Sequence, residues 1–168
     1  MARRRFEYML ELKNFDHPTM PDPIAEAIWR NPTAADKQIL AGLMFASYVG
    51  TIDYDGETIP DALKEVESYY SGPSHQGWLG FSWLAFLENE LAGACLVDYW
   101  QERNVPLIAY VMTAPRWKGK HLATAALLRS LQTLADKKYS EVRAVITEDN
   151  VPSEKIFTRI GFKRLSSD

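Results

Sequence analysis

Apolar positions along the chain recur with two different periods, and the switch between them outlines the fold. Residues 5–15, RFEYMLELKNF, place Phe6, Tyr8, Leu10 and Leu12 on alternate positions, which predicts a half-buried strand. The following DHPTMPDP holds three prolines and reads as a loop. Residues 24–30 are a short strand or the end of that loop. The spacing then becomes helical. Ile39, Leu40, Leu43, Met44 and Tyr48 share a face, Thr33 and Asp36 form a capping box ahead of them, and Gly50 follows them. A polar stretch, TIDYDGET, leads to a second helix capped by Thr58, with Pro60 in its first turn and Leu63, Val66 and Tyr70 on one side. Ser71-Gly72-Pro73 stops it.

Extended patterns return at residues 83–87 and 91–97, joined as a hairpin by Glu88-Asn89-Glu90, and at 107–112 after a turn at 101–104. Leu122, Ala126, Leu127, Leu131 and Leu134 then mark a long helix. Residues 141–147 form a strand rich in Val and Ile, 152–160 a short helix closed by Gly161, and 162–165 a last strand. There is no internal repeat. This order predicts an α/β (α+β) fold. Its central sheet is mixed but mostly antiparallel, carries helices on both faces and one right-handed β-α-β crossover, and has an additional N-terminal strand.

At 168 residues with 46% hydrophobic content the chain has material for one domain with a real core. A net charge of −3 argues against a general nucleic-acid binder, and Arg3-Arg4-Arg5 reads as a solvated terminus. Cys95 is the single cysteine. It excludes an intrachain disulfide and a multi-cysteine zinc site, and inside an apolar run it reads as a small hydrophobe. No apolar run approaches membrane-spanning length and the N-terminus lacks a signal-like apolar region. A cytoplasmic chain with neither a membrane nor a nucleic-acid partner is expected.

The chemistry concentrates in residues 106–134. A buried strand ends at Pro115, a compact basic turn follows at Lys118-Gly119-Lys120-His121, and a helix opens directly after it. Free N–H groups at a helix start, with the positive end of its dipole behind them, make an anion site suited to phosphate. The turn contains neither GxGxxG nor GxxxxGK[ST], so it supports neither a dinucleotide fold nor a P-loop. A second motif lies about thirty residues on, from Asn150 to Phe162: NVPSEKIFTRIGF.

Together the two motifs resemble the GNAT N-acetyltransferase superfamily. Thr113-Ala114-Pro115 stands where the family has V-x-P. Lys118 takes the R/Q position, His121 the first Gly and Ala123 the G/A position of R/Q-x-x-G-x-G/A. Asn150, Ile156, Gly161 and Phe162 match the family's N-x-x-A-x-x-L-Y-x-x-x-G-F, with Ser153 replacing Ala and Phe157 replacing Tyr. The resemblance runs from about residue 28 to the C-terminus. It implies an acetyltransferase domain over 25–168, with 1–24 an extension packed on it. It also implies acetyl-CoA as acyl donor, no metal, and a small-molecule or protein primary amine as acceptor, attacking directly in a ternary complex.

Carried over residue by residue, the cofactor would meet Val111, Met112, Thr113, Lys118, Gly119, Lys120, His121, Leu122, Ala123, Thr124, Asn150, Ser153 and Phe157. The diphosphate would lie on the N–H groups of 119–123 with the Thr124 hydroxyl beside it. The pantetheine arm would follow the backbone of Val111 and Thr113, one N–H serving the thioester oxygen. His121, in a helical conformation, keeps its N–H as a donor. Phe157 has no proton for a leaving thiolate and reads as packing against the cofactor arm.

No side chain is nominated as the base. Asp98, Glu148 and Glu102 near strand ends are candidates, as is Tyr110, which reads as core packing or a proton relay, with His75 in a loop behind them. The acidic run 52–57 borders the family's acceptor site and favours a cationic acceptor such as a polyamine, an aminoglycoside or a lysine side chain. The alternative is a non-catalytic acyl-CoA-binding module. Phe157 and a strand 107–113 without a carboxylate support it. Only six residues follow Phe162, so the sheet edge needs cover from the N-terminal strand or from a second subunit, as a homodimer.

Overall fold

The computed structural model describes residues 3–16, 25–72 and 78–166. Its strands are β1 Arg5–Glu11, β2 Ile28–Arg30, β3 Trp83–Leu87, β4 Glu90–Trp100, β5 Val105–Thr113, β6 Glu141–Thr147 and β7 Lys163–Arg164. Its helices are α1 Lys37–Tyr48, α2 Ile59–Ser71, α3 Leu122–Asp136 and α4 Val151–Ile160. One sheet runs in the order β2-β3-β4-β5-β6-β1-β7. All neighbours are antiparallel except β5 and β6, which α3 connects in parallel. This is the mixed, mostly antiparallel sheet that the hydrophobic pattern predicts.

The caps work as their sequences imply. Thr33 accepts the Ala35 N–H while the Asp36 carboxylate accepts the Thr33 N–H at 2.7 Å, and the resulting 3-10 turn runs into α1. Thr58 and Asp61 repeat the arrangement at α2, with Pro60 in the first turn. The buried face of α2 is Ala62, Val66 and Tyr69, rotated from the expected Leu63, Val66 and Tyr70. Tyr69 turns inward because its hydroxyl donates to the Val97 carbonyl at 2.8 Å and meets Ser82 Oγ at 2.9 Å. The hairpin connection is shorter than expected. Leu87 pairs with Glu90, so Glu88 and Asn89 alone make the turn, both with positive φ.

Both sheet faces carry helices, with different coverage. On one face α3 and α4 bury Tyr8, Leu10, Val97, Leu131, Val142 and Phe157. On the other, α1 and α2 cover only the β3–β5 half, over Leu84, Ala94, Leu96 and Met112. The β6–β1 half of that second face is polar. There Glu7 is held by Arg103 at 2.8 Å and Arg143 at 3.2 Å, Arg143 reaches Glu141 at 3.0 Å, and Val145 is exposed.

β1 is a full member of the sheet. It pairs with β6 from Arg5↔Thr147 to Glu11↔Glu141 and carries β7 on its other side through Tyr8↔Arg164 and Met9↔Lys163. The N-terminal strand therefore lies between β6 and β7, and the short β7 is the edge strand at this end.

Candidate active site

The site begins with one extra residue. Leu96 pairs with Tyr110 but Val97 pairs with Ile108, so Ala109 is a bulge in β5. A bulge bends its strand and reverses side-chain alternation beyond it. Ile108 accordingly joins the core under α3, while Tyr110 joins the cluster under α1 and α2. Pairing with β6 stops at the same place: only Leu107↔Arg143 and Ile108↔Ala144 form, and the two strands splay apart beyond them.

The register shows what β5 presents to that gap. Thr113 faces Gly93, and the next N–H, that of Ala114, donates to the Ala92 carbonyl at 2.8 Å. In an antiparallel ladder this marks Thr113, and two residues earlier Val111, as positions whose own N–H and C=O turn away from β4. They turn into the splay. Met112 lies between them, its side chain buried at 1% exposure and its backbone facing Ala94.

Beyond Thr113 the chain makes a 3-10 turn at Pro115–Trp117 and enters α3 through Gly119 and His121. The first bond inside α3 runs from the Ala125 N–H to the His121 carbonyl at 3.0 Å. The N–H groups of Leu122, Ala123 and Thr124 therefore project from the helix start, and no side chain caps it. Lys118, Lys120 and His121 are exposed around it, whereas the Leu122 and Thr124 side chains are buried. Close packing brings this turn to the sheet: a Cβ on Gly93 would stand 3.3 Å from the Met112 carbonyl oxygen and 3.5 Å from Leu122 Cβ.

His121 departs from its expected conformation. Its φ is 62° and ψ 20°, in the left-handed region, so it precedes α3 instead of belonging to its first turn. A side chain there costs about 1–2 kcal/mol, and glycine escapes most of that cost at some loss of unfolded-state entropy. His121→Gly should therefore stabilise the fold by about 0.5–1 kcal/mol. A rise in Tm of about 1–4 °C in thermal melting is the expected reading.

Asn150 caps α4, its Oδ1 accepting the Ser153 N–H at 3.3 Å, and its amide nitrogen donates to Asp53 at 2.9 Å. The motif asparagine thus ties α4 to the acidic loop after α1. Phe157 lies in the core, 6% exposed, edge to face with Phe162 at 5.0 Å between ring centres.

A cleft of about 1070 Å³ opens on the α1–α2 side of the sheet, where Leu107, Ile108, Ala109 and Tyr110 line it from β5; Val111, Thr113 and the start of α3 are not among its lining residues. Asp53, Tyr54 and Glu57 of the acidic loop line it, as do Tyr48 of α1, Asp61, Lys64 and Glu65 of α2, Asp98 of β4, Tyr110 of β5 and Arg5 of β1. Two of the candidate catalytic groups, Tyr110 and Asp98, therefore share one cleft. Glu148 and Glu102 are not among its lining residues, and Glu102 accepts the Trp100 indole N–H at 2.8 Å. His75 lies outside the described residues. The Tyr110 hydroxyl donates to Glu65 at 2.7 Å. Burial, and then the Glu65 carboxylate, hold its proton well above the usual tyrosine range. Burial likewise pushes Tyr48 up to about 12, with Asp53 and Glu65 adding to it. Cys95 is fully buried away from the cleft, and burial pushes its thiol up to about 12, as suits a small hydrophobe.

Sequence reasoning missed Glu65. Its spacing from Tyr69, one helical turn, signals a shared side of α2. Nothing in the sequence shows that this side meets β5. Among the described residues no group of three or more His, Cys, Asp or Glu side chains is placed to hold a metal ion. Nor is any described helix long and apolar enough to cross a membrane.

Comparison with known proteins bears on this geometry. The family model for the acetyltransferase (GNAT) domain matches residues 27–163, leaving β1 outside it. No curated protein sequence matches the chain. Among solved structures, a GCN5-related N-acetyltransferase from Sphaerobacter thermophilus is similar with a TM-score of 0.71 at 16% identity, over 97% of this chain and 49% of that one. The chain thus spans about half of that protein's length. An aminoglycoside N-acetyltransferase solved with CoA gives 0.61 at 14% identity, over 84% and 91% of the two chains. The ribosomal-protein-S18-alanine N-acetyltransferase from Escherichia coli gives 0.65 at 9% identity, over 83% and 79%. These likenesses show a shared fold.

Proposed function

The chain belongs to the GNAT acetyltransferase family, and from that premise we propose that it moves an acetyl group from acetyl-CoA to a cationic primary amine, by direct attack with both substrates bound. The observation that carries this reading is the outward-facing backbone of Val111 and Thr113 beside the uncapped start of α3. The first is a ladder of amide partners for a pantetheine arm. The second is a cluster of N–H donors for a diphosphate, with Lys118 and Lys120 adding charge. An N–H in the splay also suits the oxygen of a thioester that gains charge as the amine adds.

The acceptor side is chosen by charge. Asp53, Glu57, Asp61, Glu65 and Asp98 face the cleft against Arg5 and Lys64, with Tyr48, Tyr54 and Tyr110 between them. Such a surface attracts a cation and offers ring faces to it. A second reading, an acyl-CoA-binding module without turnover, draws on Phe157, whose buried ring offers no proton to a thiolate.

Thermal melting with and without acetyl-CoA, together with CoA release from acetyl-CoA in the presence of spermidine, kanamycin, butylamine or a lysine peptide, separates the readings. At a hundred times Kd the ligand should stabilise the fold by about 2.7 kcal/mol. Stabilisation with turnover on at least one amine is the expected result. Stabilisation with no turnover supports the binding module, and no stabilisation rejects both.

A further inference from the structure

We infer that Tyr110 and Glu65 form a two-residue proton exit for the acceptor, Tyr110 taking a proton from the bound ammonium while handing its own to Glu65. This rests on the amine acetyltransfer reading above. The strand that faces the acyl group, β5, carries no carboxylate between Val105 and Thr113. The carboxylate arrives instead from α2, through the 2.7 Å hydrogen bond between Glu65 and the Tyr110 hydroxyl.

Three features place that pair in the path of the reaction. The bulge at Ala109 turns Tyr110 to the α1–α2 face, whereas an unbroken strand would turn it under α3 with Ile108. Tyr110 immediately precedes Val111, whose backbone faces the splay where the acyl group would lie. Tyr110 and Glu65 both line the cleft, which meets β5 from Leu107 to Tyr110 and so ends one residue short of that backbone.

The direction of the hydrogen bond matters. The phenol already donates to Glu65, so its lone pairs face outward as acceptors. Burial and the neighbouring carboxylate both oppose a tyrosinate. The phenol therefore works as a relay that is neutral before and after the step. The ammonium N–H bond breaks, a proton reaches Tyr110 Oη, and the original phenol proton moves to Glu65. The freed amine lone pair then forms the C–N bond to the acetyl carbon. The C–S bond breaks, and the second nitrogen proton leaves to give CoA thiol and the amide. Glu65 returns its proton to the open cleft. Tyr110 is the catalytic residue in this scheme, and Glu65 acts through it.

Other titratable or charged groups face the same space: Arg5 and Glu7 from β1, Tyr48 from α1, Asp61, Lys64 and Tyr69 from α2, Asp98 from β4, and Asp53, Tyr54 and Glu57 from the loop. The test must therefore separate a relay from a general change in cleft charge. The rate of CoA release is measured from pH 6 to 10 with the panel amine that turns over fastest. Wild type is compared with Glu65→Gln, Glu65→Asp and Tyr110→Phe, and acetyl-CoA stabilisation of each variant is measured alongside.

A relay predicts a loss of about 100-fold in Glu65→Gln and Tyr110→Phe near pH 7. That loss shrinks toward parity as rising pH deprotonates the amine in solution. Glu65→Asp regains part of the rate, and all variants keep the wild-type response to acetyl-CoA. A deficit of equal size at every pH assigns the pair to binding or structure and overturns the inference. So does an unchanged rate at pH 7. A variant that no longer responds to acetyl-CoA has lost the fold of the site, and the inference then stands or falls on the other two. Turnover by wild type with unchanged variants rejects the relay alone, whereas no wild-type turnover on any amine rejects the relay and the acetyltransfer reading together.

Discussion

A chain that begins at Lys13 should fail to fold cooperatively. β1 buries Tyr8 at 3% and Leu10 at 8% exposure against the α3–α4 core, and Leu12 just beyond it is 3% exposed. Each fully buried large apolar side chain contributes about 1.5–3 kcal/mol, so the three together carry roughly 6 kcal/mol. Typical total stability is only about 5–15 kcal/mol. Truncation also strips the ladder from the whole length of β6 and detaches β7, which pairs with β1. The exposed β6 edge, with Val142, Ala144 and Ile146 no longer covered, becomes a template for aggregation. Urea unfolding followed by circular dichroism tests this. A synthetic peptide of residues 1–12 should restore the transition when added in trans. A truncated chain that unfolds cooperatively within about 1 kcal/mol of the full chain would show that β1 is dispensable.

The second large effect is expected at Asp36. Its side chain is almost fully buried and holds three elements together. Arg30 of β2 binds it with two hydrogen bonds, at 2.7 and 2.8 Å. The Thr33 N–H adds another at 2.7 Å, and the Thr33 carbonyl in turn accepts the Tyr70 hydroxyl of α2 at 2.8 Å. Asp36→Ala removes the charge partner of Arg30 and half of the capping box. Arg30 is 43% exposed and regains water, so the loss is about 2–3 kcal/mol, short of the value for a wholly buried pair.

Asp36→Asn keeps an acceptor for the cap and should fall between the two. The Arg30 hydrogen bond, then the Thr33 N–H, hold the Asp36 pKa below the ordinary carboxylate value. A depressed folded pKa gives stability that is complete above the unfolded value, about 3.9, and is lost as pH falls through the folded one. The gap between wild type and Asp36→Ala should accordingly be constant near neutrality and close only in that acid window. A gap that closes near pH 6 would assign the effect to another group.

Most of the elements were legible because their signals are local. The caps at Thr33 and Thr58 involve residues within three positions of each other, and the periods of α3 and β6 are unbroken. The outward-facing backbone groups of Val111 and Thr113 depend on strand position more than on side chains. What stayed hidden needed contacts between distant segments. The bulge at Ala109 has no glycine or proline to announce it, since the register of β4 creates it. His121 reads as a helix residue until the turn from Gly119 forces it left-handed. Glu65 meets Tyr110 only because α2 lies over β5, and the bond from Asn150 to Asp53 likewise joins segments far apart in the chain. Tyr69 turned inward for a partner, Ser82, that lies on another element.

The place of β1 also sets an order on assembly. β1 precedes the other described strands in the chain yet pairs with β6, nearly the last of them, and β7 pairs in turn with β1. While the chain emerges from the ribosome, Tyr8, Leu10 and Leu12 must wait without their partner. The sheet closes only when almost the whole domain has been translated. Such long-range pairing slows folding. The interval before closure is when this protein is most exposed to misassembly and to proteases.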